Sequence, residues 1–286
     1  MLASTDLHTD SSRLSSSALE RPLRLGLYVF AGSILFSLAG TLLLLVWPPL
    51  VATFGPYYTT LVKAPTWTYM VLLAALPILM YLPILGGRKM LFFIGWGAVI
   101  GGLSELIGTT TGYPFGEYAY THWLGPRLFG HVPYFIPFSW FAMALISLDL
   151  ARRISQKRVM RVVIAALFMV LWDVSLDPAM SHAFPFWQYP NGGFYYGMPF
   201  SNWVGWFVVS LVIIGGYEWL GGGLSATSPW APMMYLLNGL FPFMLCLVYG
   251  FYPAFFFGAL ATLVPLVLTR THTQLLAPFQ RTPTPA

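Results

Sequence analysis

Eight apolar stretches set the fold of this chain of 286 residues. They run near Leu25–Trp47, Trp67–Leu85, Leu91–Gly108, Phe135–Leu150, Val159–Leu176, Trp203–Trp219, Met233–Tyr249 and Tyr252–Leu268. A helix needs ~20 apolar residues to cross the hydrocarbon core of a bilayer, and these stretches reach or approach that length. The last two are almost continuous, and Tyr249-Gly250-Phe251-Tyr252-Pro253 is the candidate break between them. Only 8% of the residues are charged, whereas a soluble domain carries about 25%. So small a share cannot cover a water-facing surface. The expected fold is an all-α integral membrane protein with about eight transmembrane helices.

Charge sets the orientation. With the N-terminus cytoplasmic and eight crossings, the inner segments hold Arg13, Arg21, Arg24, Arg88, Lys89, Arg152, Arg153, Lys157, Arg158, Arg161, Arg270 and Arg281, leaving only Lys63 and Arg127 outside. Such asymmetry is what the positive-inside rule requires. Both ends are therefore expected in the cytoplasm. Residues 1–24 and 270–286 are polar and are expected as unstructured tails around a helical domain of residues 25–269. The basic residues are scattered over loops, which argues against a nucleic-acid partner. Cys246 lies alone in an apolar run, so it forms no internal disulfide and reads as a small buried hydrophobe.

Two outer loops, Thr109 to Pro133 and Pro178 to Ser201, are long, aromatic and rich in Gly and Pro. Segments this apolar are expected to fold back as a cap over a cavity, because irregular backbone at that depth must be buried in protein or line a cavity.

Ionisable groups inside membrane segments are costly and mark function. Asp149 sits beside Arg152 and Arg153 and reads as a local ion pair. Glu218, at the inner end of its helix, has no nearby cation in sequence and reads as interfacial. The remaining acids differ: Glu105, Glu117, Asp173 and Asp177 all fall near the outer face. Asp173 and Asp177 are spaced i, i+4 and share a helix face. Gly97, Gly101 and Glu105 follow at steps of four, and Gly97-x-x-x-Gly101 admits a close neighbouring helix, which points Glu105 into the bundle. A carboxyl without a cationic partner in an apolar site holds its proton near neutral pH, the property of a general acid. The bland alternative is that these acids bond only to neighbouring helices.

His122, His131 and His182 share the outer loops, but no metal-ligand spacing is present, and no metal is expected. Phosphate, nucleotide and hydride motifs are also missing from the sequence. Carboxylic acids, aromatic walls and an apolar cavity together suit acid chemistry on a hydrophobic polyene, since aromatic faces stabilise cations. Trp140, Trp172, Trp203 and Trp206 lie near the same level, where an interfacial belt is an equal reading.

These motifs resemble a known family. Ser104-Glu105-Leu106-Ile107-Gly108, then Gly112-Tyr113-Pro114-Phe115-Gly116-Glu117-Tyr118, are similar to the CruF-type carotenoid 1',2'-hydratases of carotenoid biosynthesis. So are Pro133 with Ile136-Pro137-Phe138-Ser139-Trp140, Asp173 with Asp177-Pro178, and Tyr195-Tyr196-Gly197-Met198-Pro199 with Asn202-Trp203 and Gly205-Trp206. The resemblance implies addition of water to the terminal C1'–C2' double bond of an acyclic ψ-end carotenoid such as γ-carotene or lycopene. It implies no cofactor, water as co-substrate, a carotenoid drawn from the bilayer, and a bacterial cytoplasmic membrane. Other carotenoid-pathway membrane enzymes are candidate partners.

The catalytic candidates are Glu105, Glu117, Asp173 and Asp177. Tyr113, Tyr118, His131, Trp140, Trp172, Asn202, Trp203 and Trp206 are the substrate-binding candidates, with Asn202 and Tyr113 expected to hold the water. A membrane cyclase, a carotenoid or lipid transporter and a non-catalytic scaffold are the rival readings.

Overall fold

The computed structural model describes the backbone of residues 4–280 and the side chains of residues 19–279. It is a helical bundle. α1 (Ser4–Val46) leads through the short α2 (Pro49–Phe54) and a 3-10 turn into α3 (Tyr58–Thr111). α4 (Ile136–Ile154), α5 (Arg158–Asp177), α6 (Phe200–Trp219), α7 (Ala231–Val248) and α8 (Tyr252–Leu268) follow, and the short α9 (Ala277–Gln280) closes the described chain. α3 is two spans rather than one. Gly86, at φ 72° and ψ 164°, breaks it into two limbs, a conformation open to a residue without Cβ, and Tyr69 of the first limb and Glu105 of the second line one cavity. Gly250, at φ 77°, makes the corresponding break between α7 and α8. Each of the eight apolar stretches is thus helical among the described residues, and five helices are long and apolar enough to span a membrane when Pro49–Thr111 is taken as one.

Helix starts follow proline. α4, α7 and α8 carry Pro137, Pro232 and Pro253 in the first turn, where the missing N–H is no loss and φ is already helical. α4 is the axis of the bundle. Every residue from Trp140 to Ala151 is buried, and apart from Ser147 and Asp149 all of them are apolar, as suits a surrounded helix.

Parts of the two expected tails fall among the described residues. The backbone from Ser4 is helical and runs straight into the first span. At the other end, Arg24 Nη2 donates to the carbonyl of Pro278 at 3.1 Å, and the Phe279 ring packs edge-on against Trp230 at 5.0 Å. The aromatic side chain anchors this otherwise polar segment. The contact also puts the start of the first span and residue 278 at one end of the bundle. Residues 1–3 and 281–286 of the expected tails lie outside the described residues.

The inner end is tied by charge. Asp149 accepts from Arg153 Nε at 3.1 Å and from the backbone N–H of Ser228 at 2.6 Å. Glu218 is not interfacial. It is 1% exposed and takes a two-pronged bond from Arg161, at 2.7 Å from Nε and 2.5 Å from Nη2. The packing of α5 on α6 joins residues far apart in sequence, which local spacing does not reveal.

The two outer loops do form a cap, and they are joined. β1 (Ala119–Tyr120) pairs antiparallel with β4 (Trp187–Gln188), with Tyr120 opposite Trp187. The Thr121 N–H extends the ladder to the Phe186 carbonyl at 2.9 Å. A second small hairpin, β2 (Arg127–Leu128) with β3 (Val132–Pro133), stiffens the first loop. Phe115 anchors this loop between two helices. A Cβ on Gly108 would stand 2.7 Å from its ring, and one on Gly205 also 2.7 Å.

Candidate active site

The glycine stripe on α3 builds the first half of the site. A Cβ on Gly97 would meet the Phe141 backbone at 2.8 Å, and one on Gly101 the Trp140 side chain at 2.5 Å. Two glycines thus let α4 lie directly on α3. One turn further, Glu105 points inward and is 4% exposed. Its Oε1 accepts from the indole N–H of Trp140 at 2.8 Å. Its Oε2 accepts from the Tyr120 hydroxyl at 2.8 Å and from the Tyr118 hydroxyl in a short bond. Burial and the neighbouring Glu105 push both phenols well above their ordinary range, so they remain donors.

The second half comes from α5. Its i, i+4 pair, Asp173 and Asp177, is 1% and 2% exposed. Asn202, in the first turn of α6, bridges them, its Nδ2 lying 3.0 Å from Asp173 Oδ2 and 2.5 Å from Asp177 Oδ2. The other oxygen of Asp177 accepts from Trp187 Nε1 and the Tyr189 hydroxyl, both at 2.7 Å. The other oxygen of Asp173 is buried without a hydrogen-bond partner. Below Asp177 the helix widens into a π-turn, Pro178–Ala183, a local irregularity that often accompanies functional sites.

The two halves face one narrow cavity of about 90 Å³. Trp140 and Trp206 stack at 4.3 Å, Trp172 meets Trp206 edge-on at 5.8 Å, and all three line it. Tyr118, which serves Glu105, lies with its ring 6.1 Å from that of Tyr189, which serves Asp177. No ion pair of the described residues includes Glu105, Asp173 or Asp177. Arg127, the one loop cation near them in sequence, donates instead to the Tyr120 carbonyl at 2.9 Å.

Glu105, Asp173, Asp177, Tyr118, Trp140, Trp172, Asn202 and Trp206 therefore converge. Three other candidates do not. Glu117 is exposed and accepts from Asn191 at 2.5 Å. Tyr113 is 78% exposed, and His131 is exposed as well. Trp203 lines an apolar recess with Tyr195, Phe257 and Leu260, and its buried indole stands close enough to act on Asp173. In the cap, alternate residues face opposite sides, and this phase sends Tyr118 and Tyr120 inward while Glu117 and Ala119 face out.

Tyr120, Trp187 and Tyr189 were not singled out for the site by sequence. The usable signal is the i, i+2 spacing of Tyr118 with Tyr120 and of Trp187 with Tyr189, a strand period in two loops that pair.

The family model described as "Carotenoid biosynthesis protein" matches residues 66–265. The chain belongs to the carotenoid biosynthesis protein family. The matched span begins in the first limb of α3 and runs into α8, so it contains every carboxyl of the cavity. Among curated proteins, this family member is similar to the bisanhydrobacterioruberin hydratase of Haloarcula japonica, 36% identical over 115 residues. That alignment covers 38% of this chain and 38% of the hydratase. No solved structure matches the chain.

Proposed function

We propose that this protein is a carotenoid hydratase that adds water across the terminal C1'–C2' double bond of an acyclic ψ-end carotenoid of the γ-carotene or lycopene type. The observation that carries the reading is the buried Asp173–Asn202–Asp177 bridge, set against a wall of stacked indoles. The name of the Haloarcula relative supports the reaction class.

Two carboxyls bridged by one amide in a low-dielectric site hold a proton between them more readily than two charges. Asp173 is the proton donor, because its free oxygen is the one not already engaged. The proton passes to C2', the π electrons form the new C–H bond, and a tertiary cation is left at C1'. The faces of Trp140 and Trp206 stabilise it through their quadrupoles, and the Glu105 carboxylate does so by charge. Water adds at C1' and gives up a proton to Glu105, leaving a tertiary alcohol. Return of that proton from Glu105 to Asp173 restores the starting state, so the net reaction consumes one water and no proton. Glu117 and Tyr113, at the surface, take no part.

The test is expression in cells that accumulate γ-carotene or lycopene, followed by mass analysis of the pigments. A more polar pigment heavier by one water is expected. A new pigment of unchanged mass would identify a cyclase instead, and an unaltered pigment profile with folded protein in the membrane would refute both.

A further inference from the structure

The site cavity continues into a larger one. An apolar groove of about 520 Å³ adjoins it, and Ser37, Pro65, Thr66, Phe186 and Phe241 line both. Its walls are the outer half of α1, α2 with the start of α3, and the end of α7. Along α1 it runs from Phe36 to Leu45, about 14 Å at ~1.5 Å per residue.

No charged residue lines the groove. The Ser37 hydroxyl is spent on the Ser33 carbonyl at 2.9 Å and that of Thr66 on the Val62 carbonyl at 2.8 Å. Those two hydroxyls are already engaged, and Thr41, Tyr58 and Tyr249 bring the remaining hydroxyls of an otherwise hydrocarbon and aromatic lining. Phe184, Phe186, Phe241 and Tyr249 supply flat aromatic surface.

We infer that this groove binds the polyene body of the substrate while one end of the same molecule reaches the carboxyls. Continuity selects the occupant. Whatever fills both spaces must be apolar over its length and must end in the group on which Asp173 acts. A long unsaturated hydrocarbon meets both demands, whereas a phospholipid tail has no reactive end to place there. The identity of that end rests on the proposed hydration, and the groove itself rests on the shared lining.

Gly40 offers a clean test. It lines the groove, and a Cβ there meets nothing within 4 Å, so Gly40→Phe can place a ring in the free space without moving a helix. Binding is read by quenching of tryptophan fluorescence in purified protein. An Asp173→Asn background keeps turnover from intervening. Lycopene is one probe, and a short acyclic isoprenoid alkene sized for the site cavity alone is the other.

Gly40→Phe is expected to weaken lycopene binding at least tenfold and to leave the short probe within twofold. Gly40→Ala should bind both as the parent does. Unchanged lycopene binding in Gly40→Phe would overturn the inference. So would an equal loss of both probes, or a co-purified phospholipid that lycopene does not displace. If lycopene binds in the groove but the wild-type chain forms no hydrated product, the proposed reaction fails and the groove assignment stands.

Discussion

The indole N–H of Trp140 donates to Oε1 of Glu105 across 2.8 Å. The bond exists because Gly101, one turn before Glu105, lets the Trp140 side chain lie against the α3 backbone. Trp140→Phe keeps the aromatic wall and removes only the donor. Since a lost electrostatic donor costs about 10²-fold in turnover, hydration is expected to fall by roughly that factor while the protein stays folded. Gly101→Leu would instead overpack the contact, at about 1–3 kcal/mol. Thermal unfolding in detergent separates the two effects.

Asp173→Asn is the sharpest test of the chemistry. An amide at 173 can still accept from Asn202 but cannot give up a proton. General acids contribute 10²–10⁴-fold, so hydration is expected to drop at least about 10²-fold with an unchanged melting temperature. Wild-type turnover in this variant would remove Asp173 from the mechanism.

Glu105→Gln behaves differently. The carboxylate receives three donors, and an amide would turn its own N–H₂ toward at least one of them. Loss of activity is therefore expected together with a lower melting temperature. Tyr118→Phe and Tyr120→Phe each leave one donor on Oε2. Each is expected to cost about tenfold in rate, and the double variant more than the product of the two, because the pair shares one oxygen.

Glu117→Gln, Tyr113→Phe and His131→Ala are expected to retain hydration within about twofold, with stability changes within ~0.5 kcal/mol, as for ordinary surface positions. A large loss of turnover in Glu117→Gln would return that residue to the site.

At the inner end, Arg161→Met leaves the buried Glu218 carboxylate with only the half-exposed Arg158, 3.9 Å away. Breaking a buried pair from one side costs about 3 kcal/mol, and a clear fall in melting temperature is expected. Replacing both residues by apolar ones should recover part of it. Hydration in the surviving folded fraction should be unchanged, because the pair lies at the far end of the bundle.

The helices were legible because each consists of an apolar run of membrane length, and the breaks at Gly86 and Gly250 lie where those runs meet. The glycine stripe and the Asp173/Asp177 spacing also pointed correctly, since periodicity within one helix decides which side chains share a face. Loop orientation was not legible. Glu117 and Tyr118 are neighbours with opposite fates, and their phase is set by the pairing of Tyr120 with Trp187 across the cap. The Arg161–Glu218 bond was hidden for a similar reason. Its partners meet only through packing of two helices.

The cavity carboxyls all lie at the end of the bundle away from the basic cluster, and this gives the proposed reaction a sidedness. Each encounter can place a hydroxyl at only one face of the bilayer. A polyene with two open ends must dissociate, turn over across the membrane and bind again before its second end can react. The singly hydrated pigment therefore accumulates ahead of the doubly hydrated one, and the interval between them measures how fast a polar-headed carotenoid reverses itself in the lipid.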